Sequence, residues 1–241
     1  MKQILAFLMM WCAAVAAQAD PVAETDHAKV TLVSEALAVT PGQPFHVAFD
    51  VALKDGWHIY WKNPGDSGLA PATHWTVPSG FAIGELQYPA PKRIEIDGLV
   101  NYGFEGTPSL VQKIIPPQGL EGEEYSQGGN EVILEVALEY LICHEVCIPE
   151  QVELSLTLPV SETPQRDEAA FKPRLEALAT PVEGAAHYQI IEDAIYLQLP
   201  KEVAKDAYFY AEQPGVLNHA APQEVASRDG NSVFKLPRGL Q

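Results

Sequence analysis

Cys143-His144-Glu145-Val146-Cys147, followed at once by Ile148-Pro149, places two thiols and an imidazole within five residues. Three chemistries suit that pattern: a structural staple, a soft-metal site using Cys143, His144 and Cys147, or a thiol–disulfide exchange pair. Two thiols four positions apart on an extended strand would have Cα atoms roughly 13 Å apart. A disulfide needs about 5.5–6 Å, so bonding requires a turn between them. A bridge over so short a loop adds only about 2 kcal/mol by loop-closure arithmetic. Short-loop bridges are the more reducible, exchange-active ones, whereas Glu145 and the acidic surroundings disfavour the attacking thiolate. A C-x3-C pair with a histidine also suits copper, although copper chaperones of the thioredoxin fold set such a pair between a strand and a helix. Here both flanks, Val132 to Ile142 and Gln151 to Leu158, read as strands.

The compartment bears on what such a pair can do. Lys2, the apolar run Ile4 to Ala17 and Ala17-Gln18-Ala19 before Asp20 read as a signal peptide at residues 1–19, cleaved after Ala19. The third cysteine, Cys12, falls in that leader, so an exported protein keeps one pair in an oxidising space. No later segment is apolar for long enough to cross a bilayer, and the mature chain reads as soluble. Lys2 is the leader's one charged residue, so the remainder carries 14 basic and 32 acidic residues, a formal charge of −18. Such a surface repels nucleic acid and anionic lipid.

The elements that must position the pair are short strands. Lys29 to Ala38, Phe45 to Leu53, Trp57 to Trp61, Thr73 to Val77, Phe81 to Gln87 and Leu110 to Ile115 join the two strands beside the cysteines. In Phe45, Val47, Phe49, Val51 and Leu53 the apolar period is two. Trp57, Ile59 and Trp61 share one face and read as core; His58 and Tyr60 share the other. Asn63 to Gly68 reads as loop. This predicts an all-β chain: an immunoglobulin-like β-sandwich over residues 20–160, a linker over 161–184, and a second, smaller or incomplete β-domain over 185–241. In the linker, Arg166 to Leu178 predicts a short helix broken near Pro173. In the second unit, Tyr188 to Gln198, Ala207 to Ala211 and Ser232 to Leu236 are the strand candidates.

Other candidates are weaker. His46 and His58 lie within strands and read as ordinary surface or satisfied histidines. The segment from Tyr88-Pro89-Ala90-Pro91 through Asn101-Tyr102-Gly103-Phe104 reads either as a surface connection or as a lid over the cysteines. No glycine-rich phosphate loop and no nucleophile-elbow serine is present.

Lys54-Asp55-Gly56-Trp57-His58-Ile59-Tyr60-Trp61, Val77-Pro78-Ser79-Gly80-Phe81, and Leu138-Glu139-Tyr140 leading into Cys143-x3-Cys147-Ile148-Pro149 occur in an order that resembles the periplasmic N-terminal domain of DsbD-type thiol:disulfide interchange proteins. The stretch Tyr88 to Gly106 resembles the ScsB-like branch, which is associated with copper tolerance. Asp206-Ala207-Tyr208-Phe209-Tyr210 and His219-Ala220-Ala221-Pro222 resemble the region that follows in that branch. The resemblance implies a periplasmic electron relay with Cys143 and Cys147 as its catalytic residues and no metal or cofactor, linked to copper tolerance or cytochrome c biogenesis. Electrons would come from a membrane-embedded thiol reductase domain or subunit and go to thioredoxin-fold periplasmic proteins. By analogy Cys147 forms the mixed disulfide and Cys143 resolves it. Well-known members have a longer spacing between the cysteines. They also carry a transmembrane domain and a thioredoxin-like domain, so a longer chain or a separately encoded membrane partner is expected.

Overall fold

The computed structural model describes residues 20–120, 131–228 and 230–239; the leader, its cleavage site and Cys12 lie outside them. The strands are β1 (Val22–Glu24), β2 (Ala28–Ser34), β3 (Ala36–Ala38), β4 (Phe45–Leu53), β5 (His58–Gly65), β6 (Ala72–Thr76), β7 (Ala82–Gln87), β8 (Lys92–Ile96), β9 (Leu99–Glu105), β10 (Ser109–Ile115), β11 (Glu131–Cys143) and β12 (Cys147–Pro159). After them come β13 (Gln165–Arg166), the helix α1 (Glu168–Glu176), β14 (His187–Ile191), β15 (Ala194–Leu199), β16 (Glu224–Arg228) and β17 (Asn231–Pro237). Among the described residues, one sheet runs β1-β2-β4-β10-β7 and a second β12-β11-β5-β9-β8, with β6 also pairing β11. Their inner faces share one core, with Phe45, Val47, Phe49 and Val51 of β4 opposing Leu134, Leu138 and Ile142 of β11 and Ile59 of β5. This is the immunoglobulin-like β-sandwich expected, and a further sheet, β14-β15-β17-β16, follows it.

Alternation sets β11. Val132, Leu134, Val136, Leu138, Tyr140 and Ile142 are buried, while Glu131, Ile133, Glu135 and Glu139 point outward. β12 pairs with it without a register shift from Glu131 opposite Pro159 to Cys143 opposite Cys147. The two strands therefore extend up to the cysteines themselves, further than the sequence pattern indicates.

Several expected boundaries differ. Tyr188 to Gln198 is two strands, because Glu192 takes a left-handed backbone (φ 54°) and turns the chain between β14 and β15. Residues 207–211 form no strand; Tyr208 and Tyr210 instead pack their rings against the sandwich core. β16 arises from Glu224–Arg228, where no strand was expected. Residues 63–65, expected as loop, close β5 beyond a bulge in its pairing with β9. The helix does not break at Pro173, which lies inside α1. Proline removes only one backbone bond there, and the helix is held from outside: Asp167 caps its start, Phe171 is buried against Ala48 and Val111, and Arg174 chelates Asp50. Through these contacts, and the pairing of β13 with β3, the segment read as a linker lies against the first sheet.

Candidate redox site

Cys143 and Cys147 are bonded, with Cα atoms 4.1 Å apart, across the last rung of the β11–β12 hairpin. His144, Glu145 and Val146 form the whole turn, closed by the His144 amide donating to the Val146 carbonyl at 3.1 Å. The turn required by the spacing is thus a tight hairpin end. Ile142 and Ile148, the neighbouring rung, point into the sandwich core. Since successive residues of a strand face opposite ways, the disulfide lies on the outer face of the sheet.

That outer face is nevertheless partly closed. Cys143 is 2% exposed, whereas Cys147 is exposed. The cover comes from β5, where His58 stands directly opposite Cys143. Tyr60, two residues on and on the same face, donates its hydroxyl to Cys143 Sγ at 3.0 Å and lies 3.5 Å from Cys147 Sγ. Burial pushes the Tyr60 phenol above its ordinary value, so the hydroxyl stays a donor. Gly68 lies on the ring: at φ 102° it occupies a backbone region closed to other residues, and a Cβ there would fall 2.3 Å from Tyr60 Cε1. The segment over the ring is pinned to β9, because Asp66 exchanges two hydrogen bonds with Val100 (2.9 and 2.8 Å). Ser67 donates to the buried Asn101 Oδ1 from both its amide and its hydroxyl.

Most of the segment read as a surface connection or a lid over the cysteines, residues 92–105, is strand. They form the β8–β9 hairpin, whose inner strand is buried and supplies the anchors for residues 66–67. Trp57 is half-buried beside the core, and Ile59 and Trp61 lie within it, as their alternation indicates.

His58, expected to be an ordinary surface or satisfied histidine, is 2% exposed, and among the described residues its Nε2 is buried without a hydrogen-bond partner. Its ring meets Tyr60 edge-on at 5.3 Å. Burial pushes its pKa down; Glu105, opposite it on β9, partly offsets this, and His144 adds to it. His46 is accounted for by Glu35, which accepts from both its amide and its ring. The His144 ring turns toward Trp57, 5.7 Å between centroids, and over Gly56. Among the described residues no group of three or more His, Cys, Asp or Glu side chains is gathered to hold a metal ion.

Sequence reasoning missed Tyr60 as a partner of the sulfurs, and it missed Glu150. The Glu150 carboxylate accepts from Thr25 (2.8 Å) and Tyr140 (2.9 Å) and pairs with His27 (2.6 Å). His27 in turn packs its ring against Trp57, tilted, with centroids 4.1 Å apart. This ties the start of β2 to the strand that carries Cys147. No motif signals either residue; each depends on a strand register that the sequence does not display.

A groove beside the disulfide is lined by Leu69, Ala70, Leu141 and Pro149. Leu69 is 68% exposed and Val146, at the hairpin tip, 62%. Among the described residues no helix is long and apolar enough to cross a membrane.

The architecture is similar to the crystal structure of the N-terminal periplasmic domain of ScsB from Proteus mirabilis, with a TM-score of 0.62 at 18% identity over 88% of this chain and 80% of that one. The crystal structure of the reduced N-terminal domain of Neisseria meningitidis DsbD also aligns, over 56% of this chain and 90% of that one, at 14% identity and a TM-score of 0.30. No curated protein matches the chain at a significant level. The family profile described as thiol:disulfide interchange protein DsbD, N-terminal, matches residues 27–159, which take in every strand of the two sandwich sheets except β1, with Tyr60 and both cysteines. The chain belongs to that DsbD N-terminal domain family, and its Cys143–Cys147 bridge is of the kind thiol–disulfide exchange uses.

Proposed function

We propose that this protein is a periplasmic thiol–disulfide relay: it takes electrons from a membrane-embedded thiol reductase domain or subunit and passes them to thioredoxin-fold partners. The observation that carries this is the asymmetry of the bridge, one cysteine an exposed residue and the other buried under Tyr60. In the receiving step a donor thiolate attacks Sγ of Cys147, the exposed residue of the pair, and the Cys143–Cys147 bond breaks. The electron pair leaves on Cys143, where the Tyr60 hydroxyl hydrogen-bonds the developing charge. In the giving step the Cys147 thiolate attacks a partner disulfide and Cys143 resolves the mixed disulfide. The exposed Leu69, Val146 and the groove beside Pro149 supply an apolar landing for a partner around Cys147.

Residues 1–19 serve as the export signal, cleaved after Ala19; the mass of the mature protein checks this. A link to copper tolerance or cytochrome c biogenesis would follow from the partners served. The test of the relay is a trap. With Cys143→Ala, Cys147 should accumulate a covalent adduct with a thioredoxin-fold protein, reversed by dithiothreitol. An accessible Cys147 that forms no such adduct refutes the relay.

A further inference from the structure

We infer that His58 is the proton acceptor for Cys143 when that thiol resolves a mixed disulfide. The inference rests on the relay reading, with Cys147 as the attacking sulfur.

Four cross-strand partners stand in a row on the outer face of the second sheet: Glu105 on β9, His58 on β5, Cys143 on β11 and Cys147 on β12. Directly opposed residues of antiparallel strands project to the same side, with Cβ atoms about 4.5–5.5 Å apart. His58 and Cys143 are such a pair, and both are buried. Among the described residues the His58 Nε2 has no hydrogen-bond partner in the oxidised protein, an arrangement that folded proteins rarely leave standing without a role. Oxidised Cys143 carries no proton. Reduced Cys143 carries one in a buried place where water is scarce, and the buried His58 stands at the strand position directly opposite it.

Tyr60 is no rival for the proton. Its hydroxyl already donates to Cys143 Sγ, and burial keeps the phenol protonated. His58, whose pKa burial pushes down, enters the step as the neutral base. The charged or titratable groups that face it are Glu105 from β9, Cys143 from β11, Tyr60 on its own strand and His144 from the hairpin turn.

Cys147 begins bonded to the partner's sulfur and Cys143 as a thiol. The Cys143 proton passes to His58, and Cys143 Sγ forms a bond to Cys147 Sγ as the Cys147–partner bond breaks. The electron pair leaves on the partner's sulfur, which takes up a proton from the imidazolium or from water. Two cysteines are oxidised to one cystine, and the partner disulfide is reduced to its dithiol.

Mixing the fully reduced protein with dithiodipyridine separates the two events, because each exchange releases one absorbing thiopyridone. The first release reports attack by Cys147 and the second resolution by Cys143. With His58→Gln the second release should slow at least about tenfold at neutral pH, while the first stays within about twofold. In the wild type the second rate should be nearly flat from about pH 6.5 to 8, above the imidazole titration. In the variant it should climb about tenfold per pH unit, as an unassisted thiol does. A second release unchanged by His58→Gln overturns the inference and leaves the relay intact. No release from Cys147 overturns both. Should His58→Gln fail to fold, the wild-type profile decides alone: a climb of about tenfold per unit across that range shows that no base assists Cys143.

Discussion

Replacing Tyr60 with Phe removes one oxygen atom and nothing else from the cover over the disulfide. The hydroxyl that donates to Cys143 Sγ at 3.0 Å is buried, so water does not readily take its place. A hydrogen bond to a charged group in such a setting contributes about 1.5–3 kcal/mol. At 1.36 kcal/mol per pKa unit, its loss should raise the Cys143 pKa by about 1–2 units. The sign follows from the donor favouring the thiolate over the thiol. A less acidic thiol is intrinsically the better nucleophile, with a Brønsted slope of about 0.4–0.5, so the resolving rate at neutral pH should fall only about three- to tenfold. The assay is the ultraviolet absorbance of the thiolate against pH, in a Cys147→Ala background where Cys143 titrates alone. The unfolding midpoint serves as a control for the fold. A Cys143 pKa that moves by less than about 0.3 unit in a folded variant would refute the idea that Tyr60 stabilises the thiolate.

Three further outcomes follow from the same geometry. Gly68→Ala puts a Cβ into the Tyr60 ring at a positive φ, which should lower unfolding free energy by about 1–3 kcal/mol and speed reduction by dithiothreitol; if neither changes, residues 66–68 do not shield the site. Arg174→Ala unpairs Asp50, whose carboxylate is 18% exposed, and should lower the urea midpoint and open residues 166–178 to proteolysis at a cost of about 1–3 kcal/mol; an unchanged midpoint shows that the pair does not hold α1 in place. Burial alone would raise the Glu35 pKa, but hydrogen bonds from His46 and Arg166 outweigh it and hold the carboxyl below the model-compound value of 4.5. The unfolded chain therefore binds the extra proton, and stability should be full above pH 4.5 and be lost as pH falls through the lower folded value. A Glu35→Gln variant with the same acid profile as wild type would exclude this carboxyl as a cause.

Alternation made the sandwich legible. In Val132 to Ile142 and Phe45 to Leu53 the period of two is a direct print of one buried face, and along β11 the structure keeps it from Val132 to Ile142, Cys143 being buried on the opposite face. The same rule correctly put Trp57, Ile59 and Trp61 inward, and it grouped His58 with Tyr60. It could not say that this second face is covered, because the cover is made by residues 66–68, pinned to a strand about thirty-five residues further along. Nor could it show that His58 stands opposite Cys143, since pairing between distant strands leaves no local pattern. The turn at Glu192 was missed for a different reason. A left-handed residue is usually Gly or Asn, and here a glutamate adopts that backbone.

The position of the disulfide on an unshifted ladder has a consequence for the reducing strength of the pair. Thirteen registered pairs run from Glu131 opposite Pro159 to Cys143 opposite Cys147, and a ladder of that length should keep the two sulfurs facing each other when the bond is broken. In the reduced protein each thiol therefore meets the other at a high effective concentration, set by folding rather than by the bond. Ring closure then gains favour, and the dithiol becomes a stronger reductant than two free cysteines would be. Hairpin folding energy thus becomes reducing power, and fraying the ladder near Leu141 and Pro149 should weaken the protein as an electron donor before it weakens the fold.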